Sequence, residues 1–131
     1  MQQSYTIGQL ATEAGVNVET IRYYQRRKLL PQPRRAHGRV RRYGTAEVRR
    51  LRFIRCAQRL GFTLNEIDDL LELLEPVSCS KTRAITAAKL EFVDERIREL
   101  QDLRREFTEL LAACDANPDE SRCPIIERFT G

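Results

Sequence analysis

The sequence is poor in aromatic residues, at 7%, has a single histidine, and contains no apolar run near the roughly 18 residues that cross a bilayer. Each shortage excludes something. Without an apolar span, no membrane partner is expected. Met1-Gln2-Gln3-Ser4 holds neither a basic cluster nor an apolar run, so no secretory signal is read there and the expected location is cytoplasmic. In that reducing compartment the four cysteines are expected as metal ligands, redox sensors or buried apolar groups rather than structural disulfides. One histidine, no glycine-rich phosphate loop and no paired acid and base leave no catalytic site to name, so an enzyme is not expected.

What is present is charge, 32% of all residues, and it is unevenly spread. Residues 1–60 carry 14 Lys and Arg against 3 Asp and Glu, a net +11, while residues 61–131 carry 9 against 16, a net −7. The first half suits a polyanion, most simply nucleic acid, and the second does not. A chain of 131 residues accommodates one domain, or a small domain plus an oligomerisation element.

The second half favours the latter. Leu90, Val93, Ile97, Leu100, Arg104, Phe107, Leu111 and Cys114 recur at alternating steps of three and four, with Arg104 the only charged member. That is a coiled-coil seam. No Pro or Gly interrupts the stretch from Cys79 to Cys114, which reads as one helix of roughly 35 residues and about 52 Å. Such a helix buries its stripe only against a partner, and the thiols at its ends are too far apart to share an atom within one chain. A dimer is expected.

The first half divides into short helices. Thr6 with Gln9 forms a capping pair for a helix through Ala14, stopped by Gly15, with Ile7, Leu10 and Ala11 inward. Asn17 caps a second helix whose Val18, Ile21 and Tyr24 look inward. Two short helices joined by Ala14-Gly15-Val16-Asn17 make a helix-turn-helix pattern, and Asn17, Thr20, Arg22 and Tyr23 are the residue types that phosphates and base edges require. Pro31 and Pro33 are expected to end the second helix. Gly38 then turns a small hairpin whose second arm is Arg39-Val40-Arg41-Arg42-Tyr43, a basic wing in which Arg39, Arg41, Arg42 and Tyr43 would contact the DNA backbone, or else a solvated charged loop. His37 is read as a surface or phosphate-proximal residue. A third helix runs from a Thr45 cap to Leu60 before Gly61, with Val48, Leu51, Ile54 or Phe53, and Leu60 inward. Thr63-Leu64-Asn65-Glu66 is a capping box opening a fourth, whose Ile67, Leu70, Leu71 and Leu74 close the core before Pro76. Cys56, in the third helix, is read as a packed or partly exposed thiol.

Ile7-Gly8 with Leu10-Ala11, the run Asn17-Val18-Glu19-Thr20-Ile21-Arg22-Tyr23-Tyr24-Gln25, the segment Arg41-Arg42-Tyr43-Gly44, the corner Leu60-Gly61-Phe62-Thr63-Leu64 with Glu66-Ile67, and the long helix together resemble the MerR family of transcriptional regulators over nearly the whole chain. The resemblance implies a mainly all-α fold: a winged helix-turn-helix head, a two-helix linker unit and a long antiparallel coiled-coil dimerisation helix. It divides the chain into a DNA-binding domain with connecting helices (1–76), the dimerisation helix (77–114) and a metal-binding loop with the C-terminal tail (115–131). It implies a homodimer on double-stranded promoter DNA, acting on RNA polymerase through the DNA complex. Lys28 departs from the pattern, standing where the family usually has Gly after the recognition helix, at a position suited to a left-handed cap.

Cys79, Cys114, and Cys123 followed by Pro124-Ile125-Ile126, resemble the mercury-responsive members of that family. Copper-type members place Ser where Cys79 stands, iron–sulfur members cluster four cysteines, and those with bulky organic effectors carry a large C-terminal domain, whereas 17 residues follow Cys114 here. An antiparallel partner would bring Cys79 of one chain beside Cys114 and Cys123 of the other, giving two equivalent three-thiolate sites. Such a donor set suits a soft ion: mercury(II) fits, and lead(II) or cadmium(II) could also fit. Asn117-Pro118-Asp119 makes the turn that returns Cys123 toward Cys114. The resemblance further implies repression without metal and activation by untwisting and bending bound DNA when metal binds. The competing readings are a lead or cadmium sensor of the same architecture, a redox switch through a Cys114–Cys123 disulfide, and an architectural coiled-coil protein with no specific operator; separately, Cys114 could be only an apolar seam residue, with Cys79 and Cys123 incidental.

Overall fold

A computed structural model describes residues 3–33 and 38–131. Six helices follow in order: α1 (Ile7–Ala14), α2 (Val18–Arg26), α3 (Thr45–Arg59), α4 (Leu64–Leu71), α5 (Cys79–Asp115) and α6 (Pro124–Thr130). They fall into two compact units, residues 1–82 and 83–131. Among the described residues no helix is long and apolar enough to cross a membrane.

In the first unit, α1 packs on α2 and α3, and α3 on α4. Each start is set by a local side chain. Thr6 Oγ1 accepts from the Gln9 amide at 3.2 Å while Gln9 Oε1 accepts from the Thr6 amide at 2.9 Å, and Thr63 with Glu66 repeats the reciprocal pair at α4. Asn17 Oδ1 accepts from the Thr20 amide at 2.8 Å to open α2. The third start differs from expectation. The cap is Gly44, not Thr45, and the Glu47 carboxylate accepts the Gly44 N–H at 2.8 Å, because an acidic residue three positions on satisfies the donor that a capping hydroxyl would otherwise leave to water.

The stops of α1, α2 and α3 share one geometry. Gly15 (φ 70°), Lys28 (φ 59°) and Gly61 (φ 88°) are left-handed, and the residue after each returns its amide to a carbonyl of the last turn: Val16 to Ala11, Leu29 to Tyr24, Phe62 to Ala57. Pro31 and Pro33 therefore do not stop α2; the Lys28 turn has already done so, and its return swings Leu29 and Leu30 into the core, each 2% exposed. Two of these three positions have the residue that adopts this conformation without a Cβ penalty and one does not. Lys28→Gly is expected to raise stability by up to about 1 kcal/mol in urea or thermal unfolding, and Gly61→Ala to lower it by about as much.

The core of this unit draws Leu10 and Ala11 from α1, Ile21 and Tyr24 from α2, Val48, Leu51, Ile54 and Ala57 from α3, and Ile67, Leu70 and Leu71 from α4. Ile54 takes the inward place and Phe53 packs at its margin. Leu60, expected inward, is 64% exposed, because the cap at the end of α3 carries it off the helical stripe. Leu74 lies beyond α4 and packs against the core from a turn bridged to Val77. Burial raises the Tyr24 phenol above its usual value, against the opposing pull of Arg55, and its hydroxyl donates to Gln58 Oε1.

The second unit holds residues 83–115 of α5, together with α6. The whole of α5 spans 37 residues, none of them buried. Leu90, Val93, Ile97, Leu100, Phe107 and Leu111 are all exposed. After the loop that follows α5 the tail forms α6: Pro124 occupies the first turn after Cys123, and Arg128 ties α6 to α5 through Glu106 at 3.0 Å.

Candidate nucleic-acid interface and thiols

Around the recognition helix, charge and burial separate residue by residue. On α2, Ile21 and Tyr24 face the core, which leaves Glu19, Arg22, Tyr23, Arg26 and Arg27 exposed at helical spacing. Arg22 pairs with Glu19 at 3.1 Å, an exposed contact worth little and easily exchanged for another anion. The Arg26 and Arg27 guanidinium groups each lie 5.9 Å from the Tyr23 ring centroid, and Arg27 donates to the Tyr23 hydroxyl at 3.1 Å. Asn17 and Thr20 are joined: Asn17 Oδ1 accepts both the amide and the hydroxyl of Thr20 at 2.8 Å, leaving the Asn17 amide nitrogen as the outward donor.

Beside α2 lies the segment from Gly38 to Tyr43. Gly38 has the positive φ expected of a turn, 73°. The first arm of the anticipated hairpin, together with His37, lies outside the described residues. The second arm is not a strand; among the described residues its one ladder contact is an isolated antiparallel bridge in which Tyr5 and Tyr43 exchange amide-to-carbonyl hydrogen bonds at 2.8 Å. Tyr43 also departs from expectation. It is 2% exposed and its hydroxyl accepts from Gln25 at 2.9 Å, so it anchors the arm to α2 rather than presenting itself to a ligand. The aromatic ring is worth more buried in the core than solvated at a charged edge. Arg39 and Arg42 remain exposed, and Arg41 is half-buried.

A cleft of about 530 Å³ opens between α2 and this arm, with Arg22, Arg26, Arg39 and Arg41 on its walls and Gln25 and Tyr43 among its lining. Arg41 Nε is buried there with no hydrogen-bond partner among the described residues. Four guanidinium groups and an unsatisfied N–H make an anion-holding concavity, the chemistry that a backbone phosphate requires. Arg26, an outer-face residue by sequence, and Gln25 are not among the DNA-contacting residues expected from the sequence; Arg26 stands one turn beyond Arg22 on the same helix, which is the signal that marks it.

The thiols lie elsewhere. Cys79 and Cys114 are exposed and Cys123 is half-buried at the start of α6. Around Cys123 the loop is built by local bonds. The Asn117 side-chain amide donates to the carbonyls of Asp119 and Arg122, and Arg122 pairs with Glu127 at 3.0 Å. The Ser121 hydroxyl and amide donate to Asp119, which holds its carboxyl below the usual value, so this support is present at neutral pH and is lost as pH falls through that lowered value. Among the described residues no group of three His, Cys, Asp or Glu side chains comes together within the chain. Cys56 is exposed on α3, with Arg59 donating to its sulfur at 3.6 Å.

The family described as MerR HTH family regulatory protein matches residues 5–74, and the one described as MerR, DNA binding matches residues 48–110. The mercuric resistance operon regulatory protein of Serratia marcescens is 44% identical over 129 residues, covering 98% of this chain and 90% of that one. Two solved structures are similar over nearly their whole length. The transcription regulator PbrR691 of Ralstonia metallidurans CH34, in complex with lead(II), has a TM-score of 0.83 and 34% identity, covering 95% of this chain and 98% of that one. The dual-function regulator MerR of Bacillus megaterium MB1, in complex with mercury(II), has 0.76 and 39%, covering 97% and 100%. With a helix-turn-helix head, a long C-terminal helix and matches of this extent, the chain belongs to the MerR family of DNA-binding transcription regulators, which are not enzymes.

Proposed function

We propose that this chain is a mercury(II)-responsive regulator that binds promoter DNA as a homodimer in the cytoplasm, represses without metal, and activates when one ion is held by Cys79 of one chain and Cys114 and Cys123 of the other. The observation that carries the reading is the placement of free thiols at the two ends of a 37-residue helix whose apolar seam is bare. A bare seam needs a second helix, and only an antiparallel second helix brings the opposite ends together. Relatives named as mercuric resistance regulators at 43–44% identity support the metal. The donor set supports it independently: three soft sulfurs without a fourth ligand favour a thiophilic ion over zinc.

In this proposal residues 1–76 bind DNA, 77–114 form the dimer, and 115–131 complete the metal site. Asn17, Thr20, Arg22 and Tyr23 meet base edges and phosphates, while Arg39, Arg41 and Arg42 hold backbone. Tyr43 keeps the arm in position. The thiolates bridging two chains tie the ends of both long helices and bias the angle between the DNA-binding heads, and a dimer bound to its operator would pass that change on as untwisting and bending. RNA polymerase then engages a promoter it could not use before. The similarity to a lead(II)-bound regulator makes lead(II) the rival effector.

A mixed dimer tests the site. Neither homodimer, Cys79→Ala or Cys123→Ala, retains a complete set of three thiols, whereas a dimer with one chain of each restores one full site. Mercury(II) titration against a competing small thiol is expected to recover one tight site per mixed dimer, and the same titration with lead(II) ranks the two ions. No recovery in a verified mixed dimer overturns the cross-chain arrangement. A Cys114–Cys123 redox switch predicts instead that oxidant alone changes promoter output in the Cys79→Ala protein, which keeps that pair.

A further inference from the structure

Resting on the antiparallel homodimer just proposed, the charge pattern along α5 fixes the register in which the two helices meet. Two flanking pairs form along the helix: Arg96 with Glu99 at 3.0 Å and Arg105 with Asp102 at 3.4 Å. Arg104 is set apart by its position. It occupies a seam position between Leu100 and Phe107, and among the described residues it has no ion pair; nor do Glu91, Asp94 and Glu95. An arginine placed in an apolar seam extends its head to water at the edge, finds a carboxylate across the interface, or is buried uncompensated, and a carboxylate standing at that edge is the most favourable of the three.

We infer that Arg104 pairs with Asp94 of the second chain, in a register where Ile97 faces Leu100, Val93 faces Arg104 and Leu90 faces Phe107 across the two-fold axis. In a helix with seam positions alternating by three and four, the residue after Val93 lies on the edge adjoining the seam row that holds Arg104, and in an antiparallel pair those rows share a side. Asp94 therefore stands within reach of the incoming guanidinium, twice per dimer. Sliding one heptad either way removes the match. One shift sets Arg104 against Leu100 with Gln101 beside it and brings the two Arg104 side chains toward each other; the other sets Arg104 against Thr86 with Ala87 beside it. Neither offers a carboxylate.

The thiols agree with the same register. Counting along it, Cys79 of one chain falls opposite residue 118 of the other, within the loop between Cys114 and Cys123. The heptad-shifted registers place Cys79 against Leu111 or Ile125, near one thiol and away from the other. Charge and sulfur are independent features of the sequence, and they select one alignment. Arg104 and Asp94 are thus the residues that set the dimer so that three sulfurs converge.

Charge exchange tests this. Arg104→Asp and Asp94→Arg each place like charges across both layers in their own homodimer, whereas a mixed dimer of the two has an opposite-charge pair in both layers. Native mass spectrometry of the mixed chains is expected to show the heterodimer in excess of the statistical half. Each single variant should also dissociate at roughly tenfold higher concentration than the wild type, as expected when a charge is left facing its like in an interface. Statistical mixing with unaltered dissociation overturns the register while leaving the dimer itself intact. A wild-type chain that stays monomeric at the concentrations of the assay overturns the dimer reading beneath it.

Discussion

Replacing Cys79 alone by serine is expected to lower mercury(II) affinity, measured against an excess of competing small thiol, by about a hundredfold or more, while affinity of the metal-free protein for its operator is unchanged. The competing thiol matters to the result. Cys114 and Cys123 of one chain would remain as a two-sulfur site, and a soft ion binds two sulfurs well, but a small thiol in large excess competes with such a site far better than with three sulfurs. In the proposed dimer a third sulfur comes from a separately anchored chain at a position already fixed, which a small thiol cannot supply. Promoter activation should then fail even where some metal remains bound, since a two-sulfur site within one chain links nothing across the interface. Cys56→Ser serves as the matched control. Its thiol is exposed on α3 in the residue 1–82 unit, beside Arg59, and its loss should leave affinity and activation as they are. Equal losses from both replacements would mean a general thiol effect and would remove the case for a defined site.

The head was legible where a local rule decides the outcome. Thr6 with Gln9, Asn17 with Thr20, and Thr63 with Glu66 announce their helices because the hydrogen bonds that open a helix lie within three residues of each other. The core stripes of α1 to α4 follow from helical periodicity for the same reason. What was not legible depends on choices between neighbours. Gly44 rather than Thr45 caps α3 because the Glu47 carboxylate reaches one amide and not the next. Lys28 rather than a proline ends α2, since a left-handed turn was available to a residue whose type disfavours it. Tyr43 reads as a basic-arm residue from its arginine neighbours, yet the bridge to Tyr5 and the bond from Gln25 draw it inward, through partners many residues away that no local pattern displays. The three thiols proposed as the metal site are read from the sequence, but among the described residues the chain by itself does not assemble them. In the proposed homodimer their convergence depends on a second copy, whose trace in one chain is the bare apolar stripe of α5 and the arginine set within it.

Two adjacent residues on α2 should separate folding from recognition. Ile21 has no exposed surface and belongs to the core of the head, so Ile21→Ala removes three carbons from a closed core and leaves a void that the neighbouring side chains fill only in part. A loss of about 3–4 kcal/mol is expected in urea unfolding, a large share of what a small domain has. Arg22 stands next in sequence and lines the cleft toward the basic arm, with only the weak Glu19 pair to lose among the described residues. Arg22→Ala should leave the unfolding midpoint almost unmoved, within about 0.5 kcal/mol, yet weaken operator binding by about 1–3 kcal/mol. Salt then tells what Arg22 does on the DNA. If it holds only a phosphate, the loss is the same on operator and unrelated duplex, and the dependence of log affinity on log salt becomes shallower by about one unit for each phosphate that Arg22 neutralises. If it reads a base edge, the operator suffers more than the unrelated duplex and the discrimination between them falls. An Arg22→Ala protein that unfolds as readily as Ile21→Ala would mean the helix is held by its outer face as well, and the assignment of α2 as a free recognition surface would fail.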